Sequence, residues 1–269
     1  MKDHPIREWQ LAAEEAARRA AIILEDWRTK FSVREKSRAD LVTDADYAAQ
    51  KAVYSYLSDT FPSHLFVGEE DTPGVLKGKP APGSPPTWIV DPLDGTANYV
   101  HDVPCYCVSI GLMVDGQMAV GVILDPRQNE LFSAGKGLGA TLNGKKMVVS
   151  TVGKLQNGLI STGFPPNPDA QERNLEMWRV YSFQAQALRR TGSTALNMAY
   201  VACGRFDGYW AFDNYAWDVA AGAALIQEAG GSVARADGSP VDVFQSDILA
   251  TNGLIHEEML VSLRSRMAK

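Results

Sequence analysis

The apolar run Trp88-Ile89-Val90 leads directly into Asp91-Pro92-Leu93-Asp94-Gly95-Thr96. This demands a buried strand followed at once by a tight segment bearing two carboxylates three residues apart. Hard divalent cations want clustered oxygens, and Mg²⁺ usually takes one or two carboxylates together with a substrate phosphate. A glycine lets backbone approach a phosphate, and adjacent N–H groups can cradle it. The segment therefore reads as a metal-plus-phosphate site. Taken alone it reads equally well as a turn, because Asp-Pro and Asp-Gly are common turn dipeptides.

Three further segments bear on that choice. Leu65-Phe66-Val67-Gly68-Glu69-Glu70 repeats the layout of a short apolar run ending in acids. Trp217-Asp218 opens the apolar stretch Val219–Ile226, which stops near Gly230-Gly231 and reads as a buried helix with Asp218 in its first turn. Ala39-Asp40-Leu41-Val42-Thr43-Asp44-Ala45-Asp46 packs acids ahead of a helical pattern. By itself, each acid at a helix start is adequately explained as a cap or dipole partner.

In order and spacing, these segments resemble the inositol monophosphatase family. The matching stretches are Asp40-Leu-Val-Thr through Asp46, Gly68-Glu-Glu70, Trp88 through Asn98, Arg190-Thr-Gly-Ser-Thr-Ala195, Trp217-Asp-Val-Ala-Ala-Gly222 and Glu228-Ala-Gly-Gly231. The resemblance runs from about Lys36 to Gly231. It implies an α/β fold, a five-layer sandwich of alternating helices and sheets of the inositol monophosphatase and fructose bisphosphatase type, and a homodimer. It also implies a lithium-sensitive phosphomonoesterase holding two to three Mg²⁺ ions.

By that resemblance, Glu69, Asp91 and the Leu93 carbonyl hold a first ion. Asp91, Asp94 and Asp218 hold a second, and a third, weaker one leans on Glu69. Glu70 stands one step back from the metal. Asp46, Thr96 and Glu69 serve the chemistry, with Thr96 holding the attacking water and Asp46 orienting the Thr96 hydroxyl. Phosphate oxygens go to the N–H groups of Gly95 and Thr96, beside Asp94. Lys36 matches a mobile-loop lysine that meets substrate, and is otherwise a solvated surface lysine. Gly192, Ser193 and Thr194 match a segment touching the alcohol part, and suit an ordinary helix cap equally. A haloacid-dehalogenase-type phosphatase is the rival chemistry, but it needs Asp-x-Asp, whereas Pro92 and Leu93 both separate the acids here.

The chain departs from inositol-cleaving relatives at one place. They carry a glutamate seven residues before the Trp-Asp aspartate, and here that position is Ala211. If Tyr209–Asp213 is extended, Asp213 shares a face with Ala211 and can supply the missing carboxylate. Otherwise Asp213 is a surface turn residue beside Asn214. Either way, selectivity for inositol 1-phosphate is expected to be relaxed toward other small polyol and sugar phosphates.

Other function classes are disfavoured. A net charge of −6 over 269 residues argues against broad nucleic-acid binding. No stretch approaches 18 consecutive apolar residues, so no membrane span is expected. The charged, helical N-terminus lacks the pattern of a secretory leader, and Cys105, Cys107 and Cys203 read as reduced thiols, so a cytoplasmic protein is expected.

Along the chain, Ile6, Trp9, Ala13, Ala16, Ala20, Ile23 and Trp27 mark one face of a first helix. A second is expected over about 44–60. Residues 71–86, with five prolines and three glycines, form a loop that either lies beside the site and shapes access to it or is a plain solvent loop. From Val103 to Ser150 the pattern is antiparallel β, with hairpins at Asp115-Gly116 and Asn143-Gly144. From Gly158 strands and helices alternate. Two lobes are expected, 1–150 carrying most metal ligands and 151–269 carrying Asp218 and the alcohol-binding segment.

Overall fold

The computed structural model describes residues 5–37 and 40–267. The first four residues, on which the reading of the N-terminus partly rests, lie outside the described residues. The chain begins with helix α1 (Ile6–Trp27), hairpin strands β1 (Val33–Ser37) and β2 (Asp40–Thr43), and helix α2 (Asp44–Thr60). Next come β3 (Leu65–Gly68), β4 (Thr87–Asp94), the single-turn helix α3 (Thr96–Val100), β5 (Cys107–Val114), β6 (Gln117–Asp125), β7 (Glu130–Gly135), β8 (Gly139–Leu142) and β9 (Lys145–Lys146). The remainder is β10 (Leu159–Thr162), α4 (Glu172–Ser182), β11 (Ala187–Arg189), α5 (Thr194–Ala202), β12 (Gly208–Ala211), α6 (Ala216–Glu228), β13 (Ser232–Ala234), β14 (Ile248–Thr251) and α7 (His256–Met267).

Among the described residues these elements stack in five layers. Helices α1 and α2 cover one face of a seven-stranded sheet ordered β3-β4-β5-β6-β7-β8-β9. Only β3 and β4 run parallel in it; the other pairs are antiparallel hairpins or near neighbours. Helices α5 and α6 fill the space between this sheet and a five-stranded sheet ordered β11-β10-β12-β14-β13. Helices α4 and α7 close the far side. The helix positions follow from burial. Ala12, Ala13, Ala16, Ala17, Ala20 and Ala21 of α1 are buried, a face wide and small enough to lie close on a sheet. Helix α6 is apolar almost all round, as a helix sandwiched between two sheets must be. The buried cluster around α5 and α6 draws on both sheets, so the packing is continuous across residue 150.

The α6 layer depends on two glycines. Gly111 and Gly121 face each other on β5 and β6. A Cβ on Gly111 would sit 2.9 Å from Ala220 Cβ, and one on Gly121 would fall onto the Ala221 carbonyl oxygen. The pair makes a saddle that lets α6 rest on the sheet backbone, and this height sets where Asp218 lies. Gly121→Val should therefore destabilise the fold by about 3 kcal/mol or more, since overpacking against backbone cannot relax cheaply. Gly153→Ala, in open space, should shift stability by less than about 0.5 kcal/mol. Urea unfolding of the two variants tests the pair; equal midpoints would contradict the saddle.

Candidate active site

The site gathers at the end of β4. The two acids lie within its last residues rather than beyond it, and a bulge decides where they point. Asp91 pairs with Ser109 and Asp94 with Cys107, so three steps on β4 match two on β5. In a regular strand, residues three apart face opposite sides; the extra residue turns both carboxylates to one face. Pro92 is tolerated because a bulge needs no ladder hydrogen bond there. Leu93 packs its side chain into the outer core, and Leu93 N–H donates to Asp91 Oδ1 at 2.9 Å. Gly95, at φ 96°, makes the turn into α3, where a Cβ would stand 2.9 Å from the Cys105 carbonyl oxygen.

Asp94 is held by the start of α5. The Ser193 hydroxyl donates to Asp94 Oδ2 at 2.5 Å, Ala195 N–H to the same oxygen at 2.6 Å, and Thr194 N–H to Oδ1 at 3.2 Å. Asp218 enters at the third position of α6 and accepts from Tyr215 N–H at 2.8 Å. Glu69 follows β3, parallel to β4. Glu70 beside it is buried, with Gln50 clamping its backbone N–H and carbonyl. The Lys36 ammonium lies between the two acids, 2.9 Å from Glu69 Oε1 and 2.6 Å from Glu70 Oε1. Lys36, on the exposed strand β1, thus pairs with both acids at the edge of the site.

Asp46 occupies the third position of α2 in a capping box. Its Oδ2 accepts from Thr43 N–H and Thr43 Oγ1. Its Oδ1 accepts from Thr96 Oγ1 at 3.2 Å, and the same hydroxyl lies 3.1 Å from the Leu93 carbonyl oxygen. The cap and the Thr96 contact are thus one arrangement. A helix start reads as a cap from sequence; only the fold puts its free oxygen against Thr96.

Electrostatics single out the group. Burial, then repulsion from Glu69, Asp94 and Asp218, raises Asp91 well above the usual carboxylate range. Burial and then Asp94 do the same to Asp218. Burial lifts Asp94 to about 6 against the opposing hydrogen bonds from Ser193, Ala195 and Thr194. Asp46 rises to about 7, chiefly by burial. For Lys36, burial acts to lower the pKa, but pairing with Glu69 and Glu70 outweighs it and the net shift is upward. Among the described residues, no three acidic, histidine or cysteine side chains stand in the close array of a finished metal site. The donor set nonetheless suits a hard cation. It consists of carboxylates and a carbonyl oxygen whose mutual repulsion a divalent ion would relieve.

Other expected residues fall elsewhere. Strand β12 ends at Ala211, and Asp213 is exposed on a turn with φ 62°. The shared face with Ala211 therefore does not exist, and the surface-turn reading of Asp213 is the one the backbone bears out. Ser193 is buried, its hydroxyl bound to Asp94 and to the Leu196 N–H and its backbone N–H and carbonyl paired with Thr191 Oγ1, so it builds the Asp94 anchor. Gly192, at φ 92°, lies against Asn98, whose amide donates to the carbonyls of Cys105 and Thr191 and stitches α3 to the approach to α5. His101 is exposed at the end of α3. All three cysteines are free thiols, Cys107 buried behind Asp94. Two supporting residues carry no mark in the local sequence: Gln50, and Lys77, whose ammonium donates to the Gly68 and Glu69 carbonyls. The proline-rich loop around Lys77 was the available signal, and it does lie against the site.

Known proteins resemble this chain over nearly its whole length. A sequence model of the inositol monophosphatase family matches residues 6–268. An inositol-1-monophosphatase from Synechocystis sp. is 40% identical over 256 residues, covering 94% of this chain and 88% of that protein. A protein named Nus factor SuhB from Pseudomonas aeruginosa is 38% identical over 240 residues, 88% of each. The solved inositol monophosphatase from Anabaena (Nostoc) sp. superposes with a TM-score of 0.84 at 37% identity, over 97% of both chains.

The raised carboxylates carry a stability signature. Asp46, Asp91, Asp94 and Asp218 bind protons more tightly folded than unfolded, so stability contributed by their protonation is lost as pH climbs from the ordinary 3.8 through about 7. In chelator, the thermal midpoint should fall between about pH 5.5 and about pH 7.5, and Asp91→Asn should flatten the decline. Mg²⁺ should raise the midpoint most at the higher pH. A midpoint in chelator that climbs over this range and is indifferent to Asp91→Asn would contradict the cluster.

Proposed function

This chain belongs to the inositol monophosphatase family, a family of phosphoric monoester hydrolases, and from that premise we propose that it is a Mg²⁺-dependent phosphatase of small polyol and sugar phosphates, inositol 1-phosphate among them. The observation that carries this reading is the gathering of Glu69 after β3, Asp91 and Asp94 on β4, and Asp218 on α6 into one mutually repelling cluster. In this reading Glu69, Asp91 and the Leu93 carbonyl hold one Mg²⁺; Asp91, Asp94 and Asp218 hold a second, and a third leans on Glu69. Bound there, Mg²⁺ would polarise the phosphoryl oxygens and bring the pKa of water toward neutrality.

The protein's own groups do the rest. Asp46 Oδ1 accepts the Thr96 hydroxyl hydrogen, so a Thr96 lone pair is left to accept a hydrogen bond from the attacking water. Gly95 and Thr96 present N–H groups at the start of α3 that have no partner within that helix and suit phosphate oxygens. Lys36 adds a positive charge beside Glu69. The Gly192–Thr194 segment borders the alcohol part. Ala211 offers no side-chain acceptor to ring hydroxyls, which supports a broader substrate range than inositol 1-phosphate alone. The enzyme in this reading is a cytoplasmic homodimer, a reading supported by the family resemblance.

Phosphate release from inositol 1-phosphate, glycerol 2-phosphate, fructose 1,6-bisphosphate, histidinol phosphate and a nucleoside 3′-phosphate, with and without Mg²⁺, tests the reading. Chelation should abolish turnover, and Asp91→Asn should lower the rate about a hundredfold or more, a loss of roughly 3 kcal/mol in transition-state stabilisation. Full activity in the metal-free protein would overturn it. Lithium should inhibit through the site built by Asp94 and Asp218. Insensitivity at about tens of millimolar, an order-of-magnitude choice for a small hard cation on oxygen ligands, would mean that this second site is built differently. The kcat/KM values for inositol 1-phosphate and glycerol 2-phosphate should lie within about a hundredfold, because no charged acceptor stands at position 211; a wider preference for inositol 1-phosphate would refute relaxed specificity.

A further inference from the structure

Lys77 touches both ends of the carboxylate cluster without belonging to it. It stands at the end of a segment fixed against β3. Leu76 N–H donates to the Phe66 carbonyl at 2.8 Å, Gly68 N–H donates to the Leu76 carbonyl at 3.3 Å, and the Gln50 amide donates to Thr72 Oγ1 at 2.8 Å. From there the Lys77 ammonium donates to the Gly68 carbonyl at 3.2 Å and to the Glu69 carbonyl. It also stands over the Trp217 ring, 5.8 Å from the centroid, within reach of a cation–π contact. Trp217 in turn stacks on Tyr215, with ring centroids 4.9 Å apart and planes 13° from parallel. Tyr215 N–H donates to Asp218 Oδ2 at 2.8 Å. A continuous chain of contacts therefore runs from the Glu69 backbone to the Asp218 carboxylate, outside the cluster itself. The remaining Lys77 contact, 3.2 Å to Asp71, is solvent-exposed and adds little.

We propose that Lys77 is a positioning residue that sets the spacing between the Glu69 turn and the start of α6, and thereby couples the binding of two divalent ions in the cluster. The inference rests on the metal-dependent phosphatase reading and deepens it. Glu69 follows a strand, Asp218 opens a helix, and like charge pushes the two apart. An ion binding at either end must draw its acids to the separation that the other ion needs. An outer brace that presets this separation eases the second binding step, as groups behind metal ligands do. Lys77 touches no substrate atom and no ligand carboxylate. Its charge acts in the opposite sense, because an ammonium near the cluster repels a divalent ion. Brace and charge therefore predict opposite signs when Lys77 is replaced.

The probe is Mn²⁺, a hard ion suited to carboxylate and carbonyl oxygens, whose free form is counted by its paramagnetic resonance signal. Lys77→Met keeps a stem over Trp217 but loses the N–H donors. It should raise the Mn²⁺ dissociation constant about tenfold, the low end for groups behind a metal ligand. Lys77→Arg, which can donate to both carbonyls and stack on the indole, should stay within about threefold of the unsubstituted protein. In Asp218→Asn, which cripples the second site, adding Lys77→Met should cost about threefold or less, because little coupling is left to lose. Binding that is unchanged or tighter in Lys77→Met would overturn the proposal, since loss of the charge alone tightens it. A full tenfold loss that persists in Asp218→Asn would overturn it too, because Lys77 would then prop Glu69 alone. Absence of Mn²⁺ binding by the unsubstituted protein, or binding that Asp91→Asn leaves unaltered, would instead bring down the metal-dependent reading beneath it.

Discussion

Asp94 is buried beneath the site and anchored by three hydrogen bonds from the first residues of α5. A carboxylate in that position costs several kcal/mol unless its oxygens are paired. The pairing here crosses from the seven-stranded sheet to the middle helix layer. It therefore joins the two halves of the molecule at the place where chemistry is expected. Asp91 and Asp218, less fully hydrogen-bonded, keep oxygens available to a cation. One acid is tied so that its neighbours can stay open.

This arrangement makes the packing and the site interdependent. Helix α6 brings Asp218 to the cluster only because Gly111 and Gly121 let it rest on the sheet backbone. Helix α2 brings Asp46 to Thr96 only because Thr43 caps it in an extended conformation. The middle helices pack against both sheets, so a shift in either sheet is transmitted to Asp94 and Asp218 together. The lobes expected on either side of residue 150 share this layer, and the candidate site sits where they share it.

Lys36 and Lys77 show how a markedly acidic site is kept compatible with folding. Lys36 neutralises part of the Glu69–Glu70 pair, and Lys77 reaches from the proline-rich loop to the carbonyls of Gly68 and Glu69. Both hold the Glu69 turn in place from outside the ligand set. Gln50 does the same from the core side by satisfying both backbone groups of Glu70.

The identity of the elements was legible in the sequence because it depends on local patterns. Hairpins at Asp115-Gly116 and Asn143-Gly144, the acid-led start of α2 and the glycine stop after α6 are set by the conformational preferences of a few neighbouring residues. So was the order of the acids, Glu69, Asp91, Asp94 and Asp218, and with it the family. What the sequence could not supply was direction. The bulge that turns Asp91 and Asp94 to one face is defined by β5, a separate strand, since register exists only between partners. Extrapolating strand alternation to Asp213 failed for the same kind of reason: β12 ends when its partner β14 begins at Ile248, and the chain then turns outward. The commitment of the Ser193 hydroxyl to Asp94 and the meeting of Thr194 with Tyr209 join residues far apart in the chain. Which residues are present was settled by sequence; which of their oxygens remain free was decided by tertiary packing, because a hydrogen bond between distant residues has no local signature.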